Sequence, residues 1–140
     1  MSMFKVFDVA GSALSAQSLR LNVTASNMAN ANSVSSSIDE TYRARQPVFA
    51  AMMQEQFGRH QDSSVGVAVR GIVESQAPLQ PQYNPSHPMA NEDGYIFLPN
   101  VNVVEEMANM ISASRSYQSN VEVINTAKQL MMRTLSIGQS

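Results

Sequence analysis

Apolar and small residues recur at alternating steps of three and four along both ends of this chain, around a differently patterned middle. From the N-terminus the series is Phe4, Phe7, Gly11, Leu14, Ser18, Leu21, Ala25 and Met28, the mark of a narrow seam along one helix. Its middle members are small, so a partner backbone can approach closely there. Asn and Ser crowd residues 30–37. Their side chains offer the backbone competing hydrogen bonds, and the helix is predicted to give out in that stretch.

The C-terminal pattern is longer. Met107, Met110, Ser114, Tyr117, Val121, Ile124, Lys128, Met131 and Leu135 keep the three-four spacing without a break, and Val123, Ala127, Leu130, Thr134 and Ile137 form a second stripe beside it. Asn102 followed by Glu105 makes a capping box. Glu105 and Glu106 near the start, with Lys128 and Arg133 near the end, complement the helix dipole. Gly138 suits the stop. A helix over residues 102–137 is roughly 54 Å long at 1.5 Å per residue, whereas a small domain is only about 30 Å across. It is expected to project.

Between the helices, residues 41–52 are β-prone around Tyr42 and Phe49, with Pro47 confining that strand to an edge. Residues 66–74 place Val67, Val69 and Val73 on one face in alternation, a second strand and hence a small sheet or hairpin. Pro78, Pro81, Pro85 and Pro88 exclude helix from residues 77–89 and favour an extended, semi-rigid connector. The predicted class is mainly α: paired, long, coiled-coil-like terminal helices, a small β-containing middle region and an extended Pro-rich connector. The segments are an N-terminal helix (1–34), the middle region (35–76), the connector (77–101) and a C-terminal helix (102–140).

Composition changes this picture in one respect. Only 14 % of the 140 residues are charged, against roughly 25 % in an average soluble protein. Ser, Asn and Gln fill the gap. A solitary domain keeps itself soluble with mixed Lys and Glu, so much of this surface is expected to be covered by neighbouring molecules. The formal net charge of −2 speaks against nucleic acid, which needs a concentrated basic face. No apolar run approaches the roughly 18 residues of a spanning helix, so no membrane insertion is expected. The N-terminus lacks the basic start and unbroken apolar core of a cleavable signal.

Candidate chemistry is sparse. With Cys at 0 there is no thiolate ligand or thiol nucleophile. His60 and His87 lack the spacing of a zinc pair and read as solvated or capping residues. Asn91-Glu92-Asp93-Gly94 resembles a fragment of a calcium loop but lacks the alternating oxygen ligands and closing Glu; a polar turn fits better. Glu105 and Glu106, adjacent on a helix, point about 100° apart and cannot share a site. No nucleophile elbow, phosphate loop or dinucleotide fingerprint is present. The reading is a protein that is not an enzyme and takes no metal or cofactor.

Two features of the C-terminal helix allow more than one interpretation. Its remaining faces carry Asn109, Ser112, Ser116, Ser119, Asn120, Asn125 and Gln129, almost uncharged. Such faces let helices pack closely, line a wet conduit, or belong to an ordinary bundle helix of low charge. Met107, Met110, Met131 and Met132 fall on or beside seam positions; they fit an oligomer seam, or a soft groove of a helical adaptor or chaperone-like module that takes partner peptides.

Residues 14–33, LSAQSLRLNVTASNMANANS, resemble the N-terminal signature of the flagellar rod and hook axial proteins. The match is a Leu/Ala-spaced helix with an Arg, then Ala-x-Asn-aliphatic-Ala-Asn at residues 25–30, with Met28 at the aliphatic place. Residues 83–139, running through Pro99-Asn100-Val101-Asn102, look like the C-terminal half of a proximal-rod member of that family. The resemblance implies an axial structural protein, exported unfolded through the flagellar type III apparatus without signal cleavage. It also implies assembly with copies of itself and other rod proteins, the terminal helices pairing and stacking around a central export channel in the periplasmic basal body. The expected assembly seam is then Phe4, Phe7, Leu14, Leu21 and Met28 toward Met107, Met110, Tyr117, Val121, Ile124, Met131 and Leu135, within and between subunits.

Overall fold

The computed structural model describes residues 3–52 and 65–138 of the chain. Helix α1, Met3–Asn30, is unbroken through Gly11. It ends where polar side chains take over its carbonyls: Asn30 Nδ2 donates to Ser26 O at 2.8 Å, and Ser33 Oγ to Asn30 O at 2.8 Å. Strands β1, Arg45–Met52, and β2, Gly66–Glu74, form an antiparallel pair from Arg45↔Glu74 to Met52↔Gly66, with an irregularity between Val48 and Phe49. Strands β3, Gln80–Tyr83, and β4, Tyr95–Leu98, form a second antiparallel pair. Helix α2, Val103–Ile137, closes the chain. Two terminal helices around small antiparallel sheets agree with the mainly α class. His60 and the Ser63-Ser64 loop lie outside the described residues.

The β3–β4 pair is an addition to the sequence reading, which had residues 77–89 as an extended connector. Pro81 sits inside β3 opposite Phe97, and the geometry explains its tolerance. Phe97 N donates to Ser35 O at 2.9 Å and Ser35 N to Phe97 O at 3.1 Å, so the Phe97 polar groups point away from β3. The opposing Pro81 therefore faces outward too, and its missing N–H deprives the ladder of nothing.

Helix α1 packs against α2 and also against both strands of the β1–β2 ribbon. The helices run antiparallel: Arg20 Nη2 donates to Asn109 Oδ1 at 3.0 Å, while Val6 lies beside Val123 and Ala127. The side chain of Asn102 starts α2 by accepting from Val104 N at 3.1 Å and Glu105 N at 3.4 Å, and the two first-turn carboxylates, Glu105 and Glu106, complement the dipole. The expected polar turn at 91–94 is present. Asn91 Oδ1 accepts from Asp93 N and Tyr95 N at 3.0 and 2.8 Å, and Gly94 takes φ +81°, a backbone that glycine adopts freely. His87 has a local role, its Nδ1 accepting from Met89 N at 3.1 Å.

Polar side chains tie the middle region to the helices. Asn27, 1 % exposed, receives Arg45 N and Tyr42 OH on Oδ1 and donates through Nδ2 to Arg45 O. Asn100 Oδ1 accepts from Ala44 N at 2.8 Å while its Nδ2 donates to Ala77 O at 2.8 Å. Ser12 Oγ accepts from Val67 N at 3.1 Å. These contacts hang β1 and β2 along α1 from Asn27 at one end to Ser12 at the other.

Candidate assembly surface

Most of the buried apolar side chains are small. On α1 they are Ala10, Ala16 and Val23, on α2 Ala113 and Ala127, and in the middle region Ala44 and Ile96. Thr24, Asn27 and Glu106 are buried beside them. Small buried side chains let neighbouring backbones approach closely, and a polar side chain at a helix seam fixes register rather than adding hydrophobic stability. Arg20 and Asn109 make that kind of link. Gln17 Oε1 is buried with no hydrogen-bond partner among the described residues.

Many bulky apolar side chains are outside. Phe4 is 72 % exposed, Val104 75 %, Ile111 54 %, Leu130 51 % and Leu135 59 %. Burying such side chains in a neighbour is the available source of hydrophobic free energy, at about 25 cal/mol per Å².

The residues named from the sequence divide between the two environments. Phe7, Leu14, Leu21 and Met28 are half-buried on α1, and Phe4 is exposed. On α2, Met110, Val121, Ile124 and Met131 are half-buried, whereas Met107, Tyr117 and Leu135 are exposed. The stripe covered by this chain's own α1 runs through Glu106, Met110, Ala113, Asn120, Ile124, Ala127 and Met131, about one position round from the spacing of the large residues. Three residues expected on outward faces lie toward the covered side instead: Asn109, held by Arg20, and Ser116 and Asn120, joined by an Nδ2–O bond of 2.8 Å.

Among the exposed apolar residues of α2, which also include Val103, Tyr117, Met132, Leu135 and Ile137, two groups stand on different faces. Val104, Met107 and Ile111 occupy the first turns; Val123 and Leu130 occupy the later ones, about 100° further round the helix at 100° per residue. Two different patches on different faces favour heterologous contact between subunits, which builds rings or open helices rather than a closed pair. Between Val6, Val123, Ala127 and Leu130 runs an apolar groove of about 640 Å³. At the opposite end of α1 a polar bowl of about 540 Å³ is lined by Asn30, Asp39, Glu40, Arg43, Arg45 and Glu74. No described helix is long and apolar enough to cross a membrane.

Sequence reasoning missed Asn27, Asn100 and Ser12, which hold main-chain groups of the middle region. The helix-ending Asn and Ser occupy residues 30–37, and Asn27, which lies before that stretch, aims at β1.

Comparison with known proteins agrees with this architecture. Residues 7–35 match the family model described as flagella basal body rod protein, and residues 92–137 match that of the flagellar basal body rod FlgEFG protein C-terminal. The chain is 51 % identical over 142 aligned positions to the flagellar basal-body rod protein FlgC of Salmonella typhimurium, covering 99 % of this chain and 100 % of the relative. It is 52 % identical to FlgC of Yersinia enterocolitica and 50 % identical to FlgC of Escherichia coli O157:H7, with the same coverage of both chains. None of these relatives favours the peptide-binding adaptor. A chain with rod-protein models at both ends and full-length identity of about one half belongs to the FlgC family of flagellar basal-body rod proteins.

Proposed function

We propose that this structural subunit of the flagellar basal-body rod carries load in the proximal part of the shaft and is built in through its terminal helices. In this reading Phe4, Phe7, Leu14, Leu21 and Met28 on α1, with Met107, Met110, Tyr117, Val121, Ile124, Met131 and Leu135 on α2, form the seam shared within and between subunits. The partners are further copies and other rod proteins. The chain reaches them through the flagellar type III export apparatus, without a cleaved signal, and surrounds the export channel in the periplasmic basal body.

One observation carries the reading: the fully buried side chains are mostly small or polar, while many large apolar residues are exposed. That arrangement suits a subunit whose hydrophobic burial is completed by its neighbours. The absence of cysteine makes a clean test available. Met107→Cys and Leu135→Cys chains, oxidised in isolated basal bodies, are expected to give intermolecular crosslinks. Only uncrosslinked chain at both positions, in motile cells, would overturn the seam.

A further inference from the structure

Asp93-Gly94 is the one Asp–Gly or Asn–Gly pair in the sequence. Glycine after aspartate leaves the following amide nitrogen unhindered, and that nitrogen can close on the side-chain carboxyl to form a five-membered ring. Glycine is nevertheless required here. Gly94 has φ +81°, and a Cβ at that position would stand 2.9 Å from Tyr83 Cε2 and 3.2 Å from Pro85 Cβ. The loop between β3 and β4 therefore carries a chemically labile pair for reasons of shape. Asp93 itself is exposed, so solvent reaches its carboxyl.

The surrounding hydrogen bonds hold the pair out of reaction. Asn91 takes three successive amides: its Oδ1 accepts from Asp93 N at 3.0 Å and Tyr95 N at 2.8 Å, and its O accepts from Gly94 N at 2.9 Å. Asn91 N in turn donates to Tyr95 O, and Gly94 O accepts from Asn84 N, both at 2.9 Å. Tyr83 and Tyr95, which flank the loop, meet edge to face with ring centroids 5.2 Å apart. Ring closure needs the Gly94 amide to lose its proton and swing toward Asp93 Cγ. Both moves break the Asn91–Gly94 turn and leave its polar groups without their partners. Reaction in the folded chain is thus confined to molecules in which this turn has opened.

We propose that Asp93-Gly94 is a site of spontaneous succinimide and isoaspartate formation, open in the unfolded chain and suppressed by the Asn91 turn. Gly94 N bonds to Asp93 Cγ; the protonated carboxyl loses its hydroxyl, the amide loses its proton, and the two leave as water. One water then reopens the cyclic imide at either C–N bond. Opening at the side-chain carbonyl restores aspartate. Opening at the main-chain carbonyl leaves the chain running through the side chain, one methylene longer. No oxidant, metal or cofactor is consumed, and the water lost is the water regained. The added methylene lies between Asp93 Cα and Gly94 N, inside the turn, so the modified chain loses the register of the Asn91 O bond to Gly94 N. Time spent unfolded is therefore time in which the β3–β4 pair is at risk, and folding ends it.

The test follows isoaspartate at residue 93 of the full chain at neutral pH, folded in buffer and unfolded in urea. The readouts are peptide mapping with an aspartate-specific endoprotease, which does not cut at isoaspartate, and enzymatic methyl transfer to isoaspartate. Formation is expected to be about tenfold or more faster in urea than in buffer, because the open fraction of the turn governs the folded rate. Asn91→Ala, with its helical circular dichroism intact, is expected to raise the rate in buffer toward that in urea. Asp93→Glu is expected to give no product in either. Chains modified in urea and returned to buffer are expected to lose hydrogen-exchange protection at the Gly94 and Asn84 amides, while the Glu106 amide, bonded to Asn102 O in α2, keeps its own. No isoaspartate at residue 93 in urea overturns the site. Equal rates in urea and buffer overturn its suppression by the fold, and the unmodified chain decides this even where Asn91→Ala fails to fold. A folded Asn91→Ala chain that reacts no faster than the unmodified one overturns the part given to Asn91.

Discussion

The side-chain amide of Asn27 pairs with the main chain of Arg45 as a neighbouring strand would: Oδ1 accepts from Arg45 N at 2.9 Å and Nδ2 donates to Arg45 O at 2.8 Å. The same oxygen takes the Tyr42 hydroxyl at 2.8 Å. One buried residue of α1 thus sets where β1 begins. Asn27→Ala removes both halves of the pair and leaves Arg45 main-chain groups without a protein partner, a loss of about 2–4 kcal/mol. Chemical denaturation measures the loss, and faster hydrogen exchange at the Arg45 amide locates it. Unchanged exchange there would show that Asn27 does not anchor the ribbon.

Two glycines are expected to respond in opposite directions to alanine. Gly11 sits inside α1 with open space where a Cβ would go, so Gly11→Ala stabilises by about 1 kcal/mol through helix propensity. Gly94 has φ +81°, and a Cβ there would stand 2.9 Å from Tyr83 Cε2. Gly94→Ala is expected to destabilise by about 1–3 kcal/mol. Thermal unfolding of the two variants, read by circular dichroism, checks both signs.

Gln17 offers a third measurement. Its Oε1 is buried without a partner among the described residues, and an unsatisfied buried acceptor costs about 1–3 kcal/mol. Gln17→Met keeps length and apolar stem, and is expected to raise the melting temperature. A lower melting temperature would mean that the amide is satisfied in solution.

Folding and assembly are separable at Val104 and Leu130, which are 75 % and 51 % exposed. Val104→Asp and Leu130→Asp are expected to leave the helical circular dichroism of the isolated chain unchanged while reducing swimming in soft agar. Normal motility of both would remove these residues from the interface. Val121→Asp and Ile124→Asp, which are half-buried within the chain, are expected to disturb α1–α2 packing as well.

Both helices were legible because three-four spacing survives even where Ser and Ala occupy seam positions. The β1–β2 ribbon was legible from alternating valines. The β3–β4 pair was not, because four prolines within residues 77–89 hide a strand whose Pro81 happens to face away from its partner. The face of α2 that meets α1 was misplaced by about one position for a different reason. Large apolar residues mark where burial is needed, but this chain covers its alanines and leaves Met107, Tyr117 and Leu135 outside. Only the three-dimensional arrangement separates contact with self from contact available to others. The Asn27 anchor was hidden because propensity describes asparagine inside a helix only as a weak helix former, and says nothing of a strand seventeen or eighteen residues on.

The small size of most fully buried apolar side chains also governs how the isolated chain comes apart. With many larger apolar side chains already half or more exposed in the folded chain, unfolding exposes less new hydrocarbon, so the heat-capacity increment of unfolding and the denaturant slope both fall below those of a globular domain of equal length. A shallow stability curve follows, and with it a polypeptide that can be unravelled with modest force before its neighbours lock it in place.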